Sequence, residues 1–395
     1  MAYYASGYNP TTAYISVRKA WDTILHTQTQ NSLFFRDMIG RDKGGEGSLK
    51  KSFTNYPIVE KTQLGKESGD RITMTLRRQL VTSNFHNAGK SGNTQLVDSE
   101  TAMSFYNTYV YVSHWRDATA ILGKLTMKRT PFELRREAVD ALTDEVAQFL
   151  DSSIFFTLYS GFSPNVVREV GVSTLTESLP LNNLYGKNQS AVANITASDV
   201  LDTEYLEMLA AVASANNFNH IRHNGKDCGL LIVHPYSLKT LRADSLYQDA
   251  NNQGMPRDGE NTMFSRAEGR WSNIYVAESN KVDYAKNYGS LTVSSDAITI
   301  GAATINDVAV TDVRMNVFLG ANAVARAVAL PEYMEARKED DYGNIFGWGA
   351  GLIFGDRRTD YTIDDGSGAT TKNQSSICCY SYAPTIASNF SAIWS

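Results

Sequence analysis

The chain carries 395 residues, 42% hydrophobic, 20% charged and 11% aromatic, a balance that excludes disordered, fibrous and collagen-like classes. At roughly 150 residues per domain, that length gives two or three compact units, or one core with long excursions. Lys and Arg number 37 against 42 Asp and Glu, a net charge of −5, which excludes a basic surface that wraps nucleic acid and leaves only local or weak contact.

In chain order, Tyr14, Val17, Trp21, Ile24 and Leu25 share one face of a predicted helix, and LFFRDMIG after it reads as an anchor. Gly40, Gly44, Gly45 and Gly47 then end the element. From Gly69 the period changes: Ile72, Met74 and Leu76 alternate with Thr73, Thr75 and Arg77, the pattern of a half-buried strand. A second strand is predicted over 103–115, with Met103, Phe105, Tyr109, Tyr111 and Trp115 on one face and Ser104, Tyr106, Thr108, Val110 and Val112 on the other. Between them lie about twenty polar residues from Val81 to Thr101, longer than a connector needs to be and therefore a functional excursion.

A long amphipathic helix is predicted from Thr130 to about Ser160. Thr130 caps it, Pro131 takes the first helical position and Glu133 completes a capping box. Leu134, Ala138, Ala141, Leu142, Val146, Phe149 and Leu150 fall in the apolar half of its wheel; Arg136, Glu137, Asp140, Asp144, Gln148 and Asp151 fall in the other. Residues 161–197 read as a surface connector, and a second helix capped by Ser198 carries Leu201, Tyr205, Met208, Leu209 and Val212. A buried strand over Gly229–Val233, a short helix opened by Pro235 and a strand over Ile274–Ala277 follow. LTV, AITI, VAV and MNVFL within 290–330 read as short strands, 342–362 as an aromatic, Gly-rich block, and the stretch from Asp364 as an extended polar tail. The elements together predict an α+β fold.

Chemical motifs are few. Gly89, Lys90 and Ser91 end like a phosphate loop, but position 84 is Asn and no helix opens behind them. His220, His223, Cys228 and His234 are the best metal candidates, although His234 before Pro235 also suits a helix cap. Glu339, Asp340 and Asp341, and Asp364 with Asp365, lack calcium-loop spacing and read as solvated faces. GWGAGLIFG over Gly347–Gly355 is spaced wrongly for a dinucleotide and suits close backbone approach in a sheet. The doublets Lys50–Lys51, Arg77–Arg78, Arg135–Arg136 and Arg357–Arg358 are scattered, as intersubunit ion pairs would be. No G-x-S-x-G, H-E-x-x-H or Cys/His pair builds a catalytic centre, so no catalytic, cofactor or metal residue is assigned. The odd cysteine count, with Cys378 beside Cys379, predicts free thiols. MAYYASGYNP has no signal-peptide character and no window is apolar for the roughly 18 residues a membrane helix needs, so a cytoplasmic protein without a membrane partner is expected.

An arm, a two-stranded excursion, a long helix and then a mixed α/β unit resemble the Johnson fold of tailed-bacteriophage major capsid proteins. The local text is similar to one branch, the podoviruses related to coliphage N-four. It is carried by GDRITMTL from Gly69, LRREAVDALTDEVAQFLD from Leu134, VHPYSLKTLRAD from Val233, NIYVAESNKV from Asn273, LGANAVARA from Leu319 and EDDYGNIFGWGAGLIFGDRR from Glu339. The likeness covers most of residues 10–362 and departs at 161–197, 285–312 and after Asp364.

The resemblance implies an N-terminal arm (1–47), an extended loop with flanking strands (48–118), a peripheral domain with a spine helix (119–197), an axial domain (198–330), strands returning to the peripheral domain (331–362) and a tail (363–395). It implies a non-enzymatic subunit whose hexamers and pentamers close an icosahedral shell around double-stranded DNA in the virion. Its implied partners are a portal protein, scaffolding or decoration proteins, and DNA held by weak non-specific contact. The 21 Tyr suit subunit interfaces, and the acidic balance suits a container that does not grip its polyanion. The alternatives are a cellular nanocompartment shell of the same fold and, from another class, a phosphate-handling enzyme built on 229–330.

Overall fold

A computed structural model describes residues 25–41, 55–62, 64, 69–77, 105–129, 134–170, 182–223, 225–253, 267–293, 298–337, 344–364 and 369–385. One 27-residue helix, Leu134–Ser160, links two sheets. Its predicted cap, Thr130 to Glu133, lies outside the described residues. In its first half Ala138, Leu142, Val146 and Leu150 are buried as the wheel requires, and Val139, Thr143 and Ala147 join them. Ala141, predicted inward, is exposed. Asp151, predicted outward, is buried: its carboxylate accepts the backbone N–H of Phe34 at 2.9 Å and of Phe35 at 3.4 Å. Those two bonds dock the predicted anchor, whose Leu33, Phe35 and Met38 are all buried.

The first half of the helix covers a five-stranded sheet ordered Ile39–Arg41, Ile58–Lys61, Val324–Ala336, Ile345–Arg358, Ser113–Leu122. The cluster between them holds Leu142, Val146, Met334, Ala350, Leu352 and Phe354. The second half enters a seven-stranded sheet. Six of its strands run in the order Asn183–Tyr185, Ser376–Tyr382, Val313–Leu319, Lys226–Val233, Ile274–Glu278, Ala267–Trp271, and Ile221–His223 pairs with Lys226–Val233. Lys226–Val233 sends Cys228, Leu230 and Ile232 to one face, against Ile154, Phe155, Leu158 and Tyr159 of the long helix. It sends Leu231 and Val233 to the other, against the helices Thr203–Ala215 and Pro235–Ala243. A strand covered on both faces reads as one apolar run, which is why GLLIV was recognisable.

Four further expectations are corrected. Residues 161–197 are no surface connector: Phe162, Ser163, Val166, Val167 and Ile195 are buried, and the segment forms a helix, Pro164–Val170, and the strand Asn183–Tyr185. The second helix is capped by Asp202, whose carboxylate accepts the N–H of Tyr205 at 3.0 Å, rather than by Ser198. VAV over 308–310 turns into the 3-10 helix Val310–Asp312 instead of a strand. The stretch after Asp364 is no extended tail, because Ser376–Tyr382 lies inside the seven-stranded sheet between Val313–Leu319 and Asn183–Tyr185. Its Cys378 and Cys379 are free and buried, like Cys228.

Candidate assembly surfaces

The excursion begins as an antiparallel pair, Arg71–Arg77 with Phe105–Tyr111, in register from Arg71 opposite Tyr111 to Arg77 opposite Phe105. The second predicted strand, 103–115, is thus two: after Val112 the chain starts Ser113–Leu122 in the five-stranded sheet. Of the two faces read from the sequence, the one bearing Thr108 and Val110 is buried, with Ile72 and Met74 from the facing strand, against Val59, Ala325 and Ala327. The root of the excursion therefore buries its apolar face within its own chain. On the outward face, Phe105 is 54% and Tyr109 37% exposed. The guanidinium of Arg71 lies 4.9 Å from the Tyr109 ring centroid, and Arg357 Nη1 donates to the Tyr109 carbonyl at 2.7 Å. The root sits so close to the sheet that a Cβ on Gly355 would come within 1.7 Å of the Tyr111 carbonyl oxygen, so Gly is obligatory there. The excursion's tip, with Gly89, Lys90 and Ser91, lies outside the described residues.

Beneath this root two buried ion pairs tie the sheets to the long helix. Arg326 is bidentate on Asp356, at 2.7 and 2.8 Å, and Ser153 of the helix donates to the same carboxylate at 3.0 Å. Burial opposes the Arg326 charge, but Asp356, with Glu60 and Asp151, more than restores it and holds the guanidinium above the ordinary arginine value. Burial conversely raises Asp151, though the two N–H bonds and Arg326 pull against it. Arg358 grips Asp360 with Nε at 2.8 and 3.0 Å and donates Nη1 to the Leu158 carbonyl at 3.0 Å. Asn373 donates to Asp360 at 2.8 Å and accepts the N–H of Ser375 and Ser376, the latter opening the strand Ser376–Tyr382. Arg357 and Arg358, expected among intersubunit pairs, thus serve contacts within the chain. Arg136 faces Asp140 on its own helix at 3.9 Å; Lys50, Lys51 and Arg78 lie outside the described residues, and the side chains of Arg77 and Arg135 likewise.

The metal candidates do not converge: among the described residues no group of three or more His, Cys, Asp or Glu could hold an ion. His234 Nδ1 accepts the N–H of Tyr236 at 3.1 Å as a helix cap, and burial, with nearby Arg314, pushes its pKa down to about 4. Cys228 pairs across the strands with Ile221, and His223 with Lys226. Glu339, Asp340, Asp341 and Asp365 lie outside the described residues, whereas Asp364 ends the strand Asp360–Asp364. No described helix is long and apolar enough to cross a membrane.

The described residues thus form a two-sheet body spanned by one helix, with a rooted strand pair that presents aromatic side chains outward. The chain belongs to the phage capsid protein family, whose model matches residues 13–385. It is 23% identical over 361 residues to the major capsid protein of Pseudomonas phage KPP25, covering 86% of this chain and 88% of that one. Its fold is similar to the capsid of Ralstonia phage GP4, with TM-score 0.68 and 19% identity over 90% of this chain and 93% of that one. It is also similar to the capsid of cyanophage Pam1, with TM-score 0.62 and 16% identity over 88% and 92%. The protein is a major capsid protein of a tailed phage, many copies of which form the virion shell. These matches settle the family and not the N-four branch within it.

Proposed function

We propose a division of labour within the shell subunit. The five-stranded sheet and the first half of the long helix act as the peripheral domain, the seven-stranded sheet acts as the axial domain that meets its copies at capsomer centres, and the excursion clasps a neighbour. The observation that carries this reading is the two-faced excursion root: Ile72, Met74 and Val110 fix it to its own sheet, while Phe105 and Tyr109 face outward. A fixed root with an aromatic outer face suits an interface, where rigid aromatic rings bury area at small entropic cost. The segment from Thr82 to Glu100, polar throughout most of its length, would then lie on the adjacent subunit. Catalysis has no role in this reading. A portal protein, scaffolding or decoration proteins and weakly held DNA complete it as partners.

Shortening the segment between Thr82 and Glu100 tests the clasp. The variant should keep its circular dichroism spectrum, because loop length costs a domain little, and should lose closed shells in negative-stain images. Normal shells of wild-type size from the shortened chain would overturn the assignment.

A further inference from the structure

A cleft of about 630 Å³ lies between the end of the helix Thr203–Ala215, the residues that open the strand Asn183–Tyr185 and the bend before Ser376–Tyr382. Amides line it: Asn182, Asn216, Asn217, Asn373 and Gln374, with Phe218 as an aromatic edge. Among the described residues no charged side chain lines this cleft. Sites for small organic ligands run from roughly 300 to 1,000 Å³, so the space suffices.

The hydrogen bonds around the cleft decide which atoms it offers. Asn373 is consumed by the fold: its amide donates to Asp360 at 2.8 Å and Ser376 Oγ at 2.9 Å, and its oxygen accepts from Ser375 and Ser376. Asn182 Nδ2 donates to the carbonyls of Asn373 at 2.7 Å and Ser376 at 3.1 Å, and Asn216 Nδ2 to that of Val212 at 2.8 Å. Carbonyls only accept, so both amide nitrogens are committed, and what Asn182 and Asn216 can offer a ligand is a fixed acceptor oxygen. Asn217 and Gln374 are exposed, and each brings a whole amide, donor and acceptor together. Asn217 is held in place by the helix end: it follows the cap Asn216 with φ 53°, and the Phe218 N–H closes on the Ala213 carbonyl at 3.0 Å.

We propose that this cleft binds a neutral saccharide. Fixed acceptors select a ligand rich in O–H or N–H donors, and the whole amides beside them pair with groups that donate and accept at once, as a sugar hydroxyl does. A phosphate brings only acceptors and finds no cation among the described lining residues, and a metal ion finds no carboxylate there. A second cleft of about 400 Å³ shares Asn217 and Phe218 with the first. The binding surface therefore continues past the turn, which favours an oligosaccharide over a single sugar.

The test titrates the full-length chain with maltotriose, cellotriose and triacetylchitotriose, by saturation-transfer NMR and calorimetry up to about 20 mM. At least one should bind saturably, and more tightly than its own monosaccharide. Gln374→Ala and Asn217→Gly should each weaken that binding about fivefold, as loss of one neutral hydrogen bond does. Neither should lower the thermal midpoint, because Gln374 is exposed and Gly suits the positive φ of Asn217. Tetra-alanine and inorganic phosphate should not displace the sugar. Binding of none of the three, unchanged affinity in both variants, or displacement by tetra-alanine, which would make this a peptide site, or by phosphate would overturn the proposal.

Discussion

The two halves of Leu134–Ser160 look alike as text and live in different surroundings. From Leu134 to Leu150 the helix lies on the five-stranded sheet and keeps Arg136, Glu137, Asp144, Glu145 and Gln148 in solvent. From Asp151 onward it runs between elements, and Ser153, Thr157 and Ser160 are as buried as Ile154 and Leu158. Helical periodicity reports burial only where water takes one side. Where protein takes both, polar side chains face inward and are satisfied locally: Thr157 donates to the Ser153 carbonyl at 2.7 Å and Ser160 to the Phe156 carbonyl at 2.8 Å.

Three substitutions sharpen this contrast. The largest effect belongs to Leu142→Asp in the amphipathic half, where the side chain is 2% exposed. Loss of the packed leucine together with burial of an unpaired carboxylate should cost about 5 kcal/mol, read as a collapse of the unfolding midpoint; an unchanged midpoint would mean that this face is not buried. Next, Arg326→Leu should cost about 3 kcal/mol, because Asp356 is left buried without its cation. Chemical unfolding measures it, and the double variant Arg326→Leu with Asp356→Leu should recover part of the loss if the uncompensated charge is its source. Smallest is Ala141→Glu, placed on the apolar face by the wheel but exposed in the fold. It should stay within about 0.5 kcal/mol of wild type, and a larger loss would restore the idealised wheel.

Much of the fold was legible where one physical cause dominates. The alternation of Ile72 and Met74, the run Gly229–Val233 and the His234–Pro235 helix start each report a single local rule, and each holds in the structure. Illegible features depend on distant partners. Asp151 reads as a surface acid until the N–H groups of Phe34 and Phe35 arrive, more than a hundred residues away in sequence. Ser198 lost the cap because Asp199 next to it closes a turn, accepting from Thr196 and Lys187, so the helix starts only at Thr203 behind Asp202. The candidate interface was half legible. Its strands alternate in the sequence, but which face turns outward depends on Val59, Ala325 and Ala327, none of them adjacent to it in the chain.

The place of Ser376–Tyr382 has a consequence for biosynthesis. Asn183–Tyr185 can pair with nothing in this sheet until Cys378–Tyr380 exists, nearly two hundred residues later, and Val313–Leu319 lacks one of its two neighbours until then. On a ribosome, where the chain emerges from its N-terminus at about 5–20 residues per second, the seven-stranded sheet stays incomplete while nearly everything before it is already outside the tunnel. Such late, long-range closure is slow to form and leaves strand edges open meanwhile. The seven-stranded sheet is therefore unfinished until translation has passed Tyr382.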